Sequence, residues 1–352
     1  MPSLGRLLQI EGVQNVSPGA PGWVKSVFFA VSGAMLFQEP VQAASLVQLD
    51  TIQRDGYGIV QLKHPVSNEF FMEASLNGHP IRLILDTGAL SHNITLSNGC
   101  EKFMRIAPHP IKGTSFAVSG KAMGKFTEGV ADSFALGNIQ TSGTTIDFVS
   151  FTFLHNRSVE GVWTTTSVIN NARANLDADG FLGMGFLQKC AAIIDLPNAR
   201  LYLKPPGSGR TLQLEPALKS VGYLTANFNL TNSAVIVDVS INGIAGKMIV
   251  DTGSYLTVLD SRFAARAKLH TYRSGLRWKD AAGVDLEPDM ADPTSFKVAG
   301  VEVLRTKMVV ESTGFYSSSG GKVIGLLGMD FLGQSWGIID FAQHKLYFSA
   351  VK

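Results

Sequence analysis

Residues 71–88, FMEASLNGHPIRLILDTG, align without a gap on residues 236–253, IVDVSINGIAGKMIVDTG, of the same chain. Each copy carries Ser-x-Asn-Gly and, eight residues after the glycine, Asp-Thr-Gly. Apolar residues alternate before the Asn-Gly pair and again after it. That pattern predicts a β-hairpin with an Asn-Gly turn whose second strand runs directly into the aspartate. A second block repeats in the same order. Residues 180–203, GFLGMGFLQKCAAIIDLPNARLYL, align on residues 325–348, GLLGMDFLGQSWGIIDFAQHKLYF, and share Leu-Gly-Met, Phe-Leu, Ile-Ile-Asp and Leu-Tyr. Two collinear matches identify the chain as an internal duplication of one folding unit.

The repeat sets the domain expectations. Lys204 to Ser220 opens with KPPGSGR, a Pro/Gly break between the halves. The expected organisation is residues 1–44 as signal peptide and lead-in, 45–204 as the first lobe, 205–220 as linker and 221–352 as the second lobe. Residues 45–65 are expected to add a strand to one of the sheets. Short helices are expected after each Asp-Thr-Gly strand and after each Leu-Gly-Met, with Asp260-Ser261 as an N-cap.

Composition narrows the function. With 352 residues the chain has room for two cores. A net charge of +2 and a charged fraction of 16% give no electrostatic case for nucleic acid or an anionic membrane as partner. Thirty-six glycines and 14 prolines fit a β-rich, turn-rich protein. The two cysteines, Cys100 and Cys190, are too few for a disulfide framework or a structural zinc site; one bridge or two buried thiols both fit. Lys25, the apolar run from Val27 to Phe37 and Val41-Gln42-Ala43-Ala44 form a signal-peptide pattern over about residues 22–43. Export to the periplasm or outside the cell is the corresponding expectation, with no stable membrane insertion afterwards.

One Asp-Thr-Gly carries little information, because a capped turn at a strand end uses the same residues. Two copies at equivalent places of two homologous lobes carry much more. An approximate two-fold axis brings equivalent residues together where it crosses the interface. Two carboxylates meeting there share one proton, so that one serves as base on a water while the other donates to a carbonyl. Asp86 and Asp251 are therefore the candidate catalytic pair.

Asp86-Thr87-Gly88 with Phe181-Leu182-Gly183, and Asp251-Thr252-Gly253 with Leu326-Leu327-Gly328, resemble the paired signatures of pepsin-fold and retropepsin-like aspartic proteases, in a tandem, bacterial-type form. Asp-Thr-Gly-Ala at 86–89 resembles the retroviral version, and Asp-Thr-Gly-Ser at 251–254 the pepsin version. The resemblance implies a mainly all-β fold of two β-barrel lobes related by a pseudo-two-fold, with short helices. It also implies that Thr87 and Thr252 brace the pair across the interface, and that Gly88 and Gly253 let backbone amides approach the carboxylates. Ser254 is expected to donate to Asp251, making it the more acidic partner. Flap hairpins are expected at Lys112–Val130 and Arg277–Met290, with Gly120 and Gly283 at their tips. The implied activity is an aspartic endopeptidase without cofactor or metal, acting as a monomer on peptide or protein substrates. The alternative is a peptide- or protein-binding module that keeps the fold without cutting.

Other motifs lead elsewhere less well. Asn175 to Phe186 opens like a calcium loop but lacks the glutamate at its twelfth position. No serine lies in a Gly-x-Ser-x-Gly elbow.

Overall fold

The computed structural model describes residues 55–349 apart from the internal stretches 64–68, 90–92, 111–116, 123–125, 150–155, 158–162, 165–177, 209–211, 232, 277, 281–283 and 304–306. The expected signal segment and the calcium-like loop up to Asp177 lie outside the described residues.

The structure is mostly β, with short helices. Both predicted hairpins form. Phe71–Leu76 pairs antiparallel with His79–Leu85, and Ala234–Ile241 with Ile244–Val250. Their turns place Asn77 at φ 49 and Gly78 at φ 77, and Asn242 at φ 48 and Gly243 at φ 80. Two consecutive positive φ values are what a two-residue turn needs to match the right-handed strand twist, which is why Asn-Gly recurs there.

The outgoing strand of each hairpin lies beside the strand of the second repeated block. Gly180–Leu182 runs parallel to His79–Leu85 on one side and antiparallel to Ile94–Ser97 on the other. In the second half Val323–Leu327 runs parallel to Ile244–Val250 and antiparallel to Val258–Asp260. Strands so enclosed are covered on both faces, and Leu83, Ile84 and Leu85 are all buried, as are Met248, Ile249 and Val250. That explains why the alternation after each Asn-Gly gives way to three consecutive apolar residues just before the Asp-Thr-Gly. Among the described residues these strands belong to a nine-stranded sheet in the first half and a ten-stranded sheet in the second.

A third sheet of six strands joins the halves, in the order Gly58–Gln61, Arg200–Leu203, Ile193–Asp195, Ile338–Asp340, Lys345–Ser349 and Tyr223–Asn227. The strand expected from residues 45–65 is the first of these. At its centre Ile193 pairs with Asp340, Ile194 with Ile339 and Asp195 with Ile338. Ile194 and Ile339 are equivalent in the repeat, so this antiparallel pairing is two-fold about that residue pair. Glu215–Ser220 forms a helix that buries Leu218 in a cluster with Tyr57, Tyr202 and Tyr347.

Helices follow each Leu-Gly-Met, at Met184–Lys189 and Met329–Gln334. Ser261–Arg266 is capped by Asp260, whose side chain accepts from the Arg262 amide. Cys100 and Cys190 are buried thiols of the main core and form no disulfide with one another, so of the two thiol alternatives the apolar one holds. No helix among the described residues is long and apolar enough to cross a membrane.

Candidate active site

Asp86 and Asp251 each end an enclosed strand and begin a tight loop. The Asp86 amide donates to the Leu182 carbonyl at 3.1 Å, and the Asp251 amide to that of Leu327 at 3.0 Å. Both loops thus hang from the apolar-apolar-Gly segment of their own half.

Across the interface the two threonines interlock. The Thr87 amide donates to Thr252 Oγ1 at 3.0 Å, and the Thr252 amide donates to Thr87 Oγ1 at 3.0 Å. Each hydroxyl passes its own proton to a carbonyl of the opposite strand, Thr87 to Val250 at 2.8 Å and Thr252 to Leu85 at 2.9 Å. Thr87 and Thr252 are buried, so all four bonds are shielded from water. The contact is reciprocal between equivalent residues, as an isologous interface requires.

That interlock carries each glycine against the opposite carboxylate. A Cβ on Gly88 would lie 2.5 Å from Oδ1 and 2.6 Å from Oδ2 of Asp251. A Cβ on Gly253 would lie 2.5 Å from Oδ1 and 2.8 Å from Oδ2 of Asp86. No real Cβ fits at those distances, so the third motif residue has to be glycine if the two acids are to close on one another. The same glycines also serve their own loop. Gly88 N donates to Asp86 Oδ1 at 2.8 Å and Gly253 N to Asp251 Oδ1 at 2.9 Å. Asp86 Oδ1 accepts a further amide from Ala89 at 3.1 Å. Asp251 is buried and Asp86 partly so. Backbone amides directed at a carboxylate favour its ionised form, whereas a second carboxylate alongside opposes a second charge.

Ser254 departs from expectation. Its hydroxyl donates to the Leu256 carbonyl at 2.8 Å. A hydroxyl has one proton, so the loop's own backbone takes the donor that had been assigned to Asp251, and the expected acidity difference loses its basis. Its carbonyl instead accepts from Met329 N at 2.9 Å, tying the loop to the next helix.

A family model described as gag-polyprotein putative aspartyl protease matches residues 237–334, from within the strand Ala234–Ile241 to the end of the helix Met329–Gln334. Over these residues the chain is similar to the retropepsin-like aspartyl proteases. Among solved structures, the crystal structure of aspartic proteinase from Irpex lacteus is similar over 84% of this chain and 98% of its own, at 15% identity and a TM-score of 0.45. No curated protein matches the chain.

The expected flap tip Gly120 sits in a turn closed by Ala117 N to the Lys121 carbonyl, at φ 78. The turn reaches into the second half. Gly314 N donates to the Val118 carbonyl at 3.1 Å, and Ser119 N donates to Asp280 Oδ2 at 3.4 Å. The second expected hairpin pairs Trp278–Lys279 with Asp285–Leu286; its expected tip, Gly283, lies outside the described residues. Asp280 therefore links the two hairpins, since its Oδ1 accepts from Val284 N.

Sequence reasoning gave Asp260 only as a helix cap. Asp260 is fully buried and gathers Arg262, the Thr313 amide and the Thr313 hydroxyl, and these partners outweigh burial and hold its carboxyl below the ordinary range. It fixes the entrance of the helix Gly314–Ser318, against which the Gly120 turn rests. Asp179, in the described portion of the calcium-like loop, accepts from the Arg82 amide. Among the described residues there is no cluster of potential metal ligands.

Proposed function

We propose that the protein is an aspartic endopeptidase that hydrolyses peptide bonds with a water activated between Asp86 and Asp251. The observation that carries this reading is the reciprocal fit of Gly88 against Asp251 and Gly253 against Asp86. It leaves the two carboxylates facing the same small space, fixed by a buried threonine interlock that neither can escape alone.

The chemistry follows from sharing one proton. The ionised carboxylate takes a proton from the water as that water attacks the scissile carbonyl. The protonated partner donates to the carbonyl oxygen, giving a neutral tetrahedral diol. Collapse returns one proton to the leaving amine, and no covalent enzyme intermediate forms. Such a pair works while it holds a single proton, so activity is expected to peak at mildly acidic pH, roughly 4–6.

The substrate is an extended peptide held beneath the 117–121 turn, and the working unit is a monomer of lobes 45–204 and 221–352. Residues 22–43 direct export, and the mature chain begins near Ala44 or Ser45.

Cleavage of a mixed peptide library by the wild type, Asp86→Asn and Asp251→Asn tests the mechanism. Turnover by the wild type and its near-complete loss in each folded variant is expected, because the amide cannot accept the water's proton. Retention of most activity in either variant overturns the proposal.

A further inference from the structure

The helix Met329–Gln334 begins directly beneath the Asp251 loop, and its second residue, Asp330, is buried in a place where an acid needs a reason. Asp330 Oδ1 accepts from the Thr257 hydroxyl at 2.7 Å. Thr257 Oγ1 in turn accepts from the Gly328 amide at 3.2 Å. Gly328 itself is wedged under the loop, since a Cβ on it would lie 2.4 Å from the Leu256 carbonyl oxygen. Around this chain the loop is held by Asp251 N to Leu327, Met329 N to Ser254 and Asp330 N to Tyr255.

The first half solves the same problem differently. Gly183, the equivalent of Gly328, donates its amide to the backbone carbonyl of Asn93 at 3.0 Å. Position 185, equivalent to Asp330, is glycine. The Gly328 amide has a side-chain hydroxyl as its acceptor, and Asp330 is what orients that hydroxyl. Without the carboxyl, the Thr257 proton is left without its acceptor and the hydroxyl is free to turn away from Gly328. A buried donor so abandoned carries a large penalty. Asp330 Oδ2 has no hydrogen-bond partner among the described residues, so the carboxyl's visible engagements run through Oδ1.

We propose that Asp330 is a positioning residue for the second aspartate, acting through Thr257 on the 251–257 loop, and that the first half, with glycine at the equivalent position 185, has no such carboxyl. The consequence for catalysis rests on the endopeptidase reading; the consequence for the loop does not. Asn keeps an oxygen where Asp330 Oδ1 accepts from Thr257, so it is a fair imitation of the carboxyl.

Backbone amide exchange and peptide cleavage, measured on the full chain, separate these two consequences. The variants are Asp330→Ala, Thr257→Val, Asp330→Asn and Thr257→Ser. Asp330→Ala and the nearly isosteric Thr257→Val should each speed exchange at Gly328 and Met329 by roughly tenfold or more, with Gly183 and Met184 unchanged. Asp330→Asn and Thr257→Ser should keep wild-type protection. In cleavage, Asp330→Ala and Thr257→Val should lower kcat by roughly tenfold at unchanged KM, because misplacement of one carboxyl affects the reacting atoms more than peptide binding. Equal loss of protection in both halves, or none in either, overturns the proposal. So does an Asn variant that behaves like Ala. A wild type that cuts no peptide counts against the endopeptidase reading alone, and the exchange pattern then decides the brace by itself.

Discussion

Raising the pH from 4.5 to 7 should destabilise this protein, and Asp340 should contribute about 2 kcal/mol of the change. Asp340 lies on the central strand Ile338–Asp340 of the sheet that joins the halves, fully buried opposite Ile193. Its Oδ1 accepts the amides of Ala342 and Gln343, each at 3.0 Å, but Oδ2 has no hydrogen-bond partner among the described residues. Burial outweighs those two amides and pushes the carboxyl from 3.8 to about 6. The phenols of Tyr57 and Tyr347, raised mainly by their own burial, also feel its charge. Below pH 3.8 both folded and unfolded chains hold the proton, and there is no penalty. Between 3.8 and about 6 the unfolded chain releases it while the folded chain keeps it, so stability falls as pH rises. At about 1.4 kcal/mol per unit, the full loss is about 3 kcal/mol, of which about 2 kcal/mol falls above pH 4.5. Burial also raises Asp195 and Asp330, which adds to the same slope, whereas the lowered Asp260 acts below 3.8 and outside this window. The assay is urea unfolding from pH 4.5 to 7 for the wild type and Asp340→Asn. Asn keeps the Oδ1 acceptor and removes the titration, so the variant should gain about 2 kcal/mol on the wild type across that range. Parallel curves for the two proteins would refute the assignment to Asp340.

The glycines opposite the carboxylates give a sharper functional test. Gly88→Ala and Gly253→Ala each place a Cβ about one ångström too close to an acid, and each should remove cleavage while far-ultraviolet circular dichroism stays native; cleavage surviving in both would mean the carboxylates do not act together. Thr87→Val or Thr252→Val deletes one hydroxyl that both donates and accepts across the interface, and should cost roughly 2–3 kcal/mol in denaturant unfolding. A loss below about 0.5 kcal/mol, the level of an ordinary surface substitution, would show that the interlock adds nothing.

Much of this architecture was legible because it repeats. The Asn-Gly turns, the apolar runs before Asp86 and Asp251, and the helices after Leu-Gly-Met follow from local pattern, and each appears twice. The cap at Asp260 was also local, since the amide it accepts is two residues away. What stayed hidden depends on contacts between distant segments. Asp260 also gathers Thr313, and Asp330 orients Thr257 from across a loop. Neither pairing has a spacing that sequence alone could show. The Ser254 hydroxyl was misassigned for a related reason: a carbonyl two residues downstream competes with the carboxylate, and loop geometry decides between them. The Gly185 and Asp330 difference was visible as a mismatch in an otherwise matching block. It is the kind of departure from repeat symmetry that marks a place where the halves do different work.

Equivalence in sequence is not contact in space, since repeated units can also stack side by side and leave their equivalent residues a full repeat apart. Here two separate features turn one into the other. An antiparallel pair made from two copies of the same strand is two-fold by construction, and Ile193–Asp195 with Ile338–Asp340 is such a pair, centred on Ile194 and Ile339. The reciprocal bonds of Thr87 and Thr252 place a second two-fold contact elsewhere in the molecule. Two such contacts define one axis, and Asp86 and Asp251 sit one residue from it. The approach of each acid to the opposite glycine is therefore over-determined: backbone pairing at Ile194 and Ile339 and side-chain interlock at Thr87 and Thr252 each favour it. A polar pair that would otherwise separate to solvate its charge is held by bonds in which the acids themselves take no part.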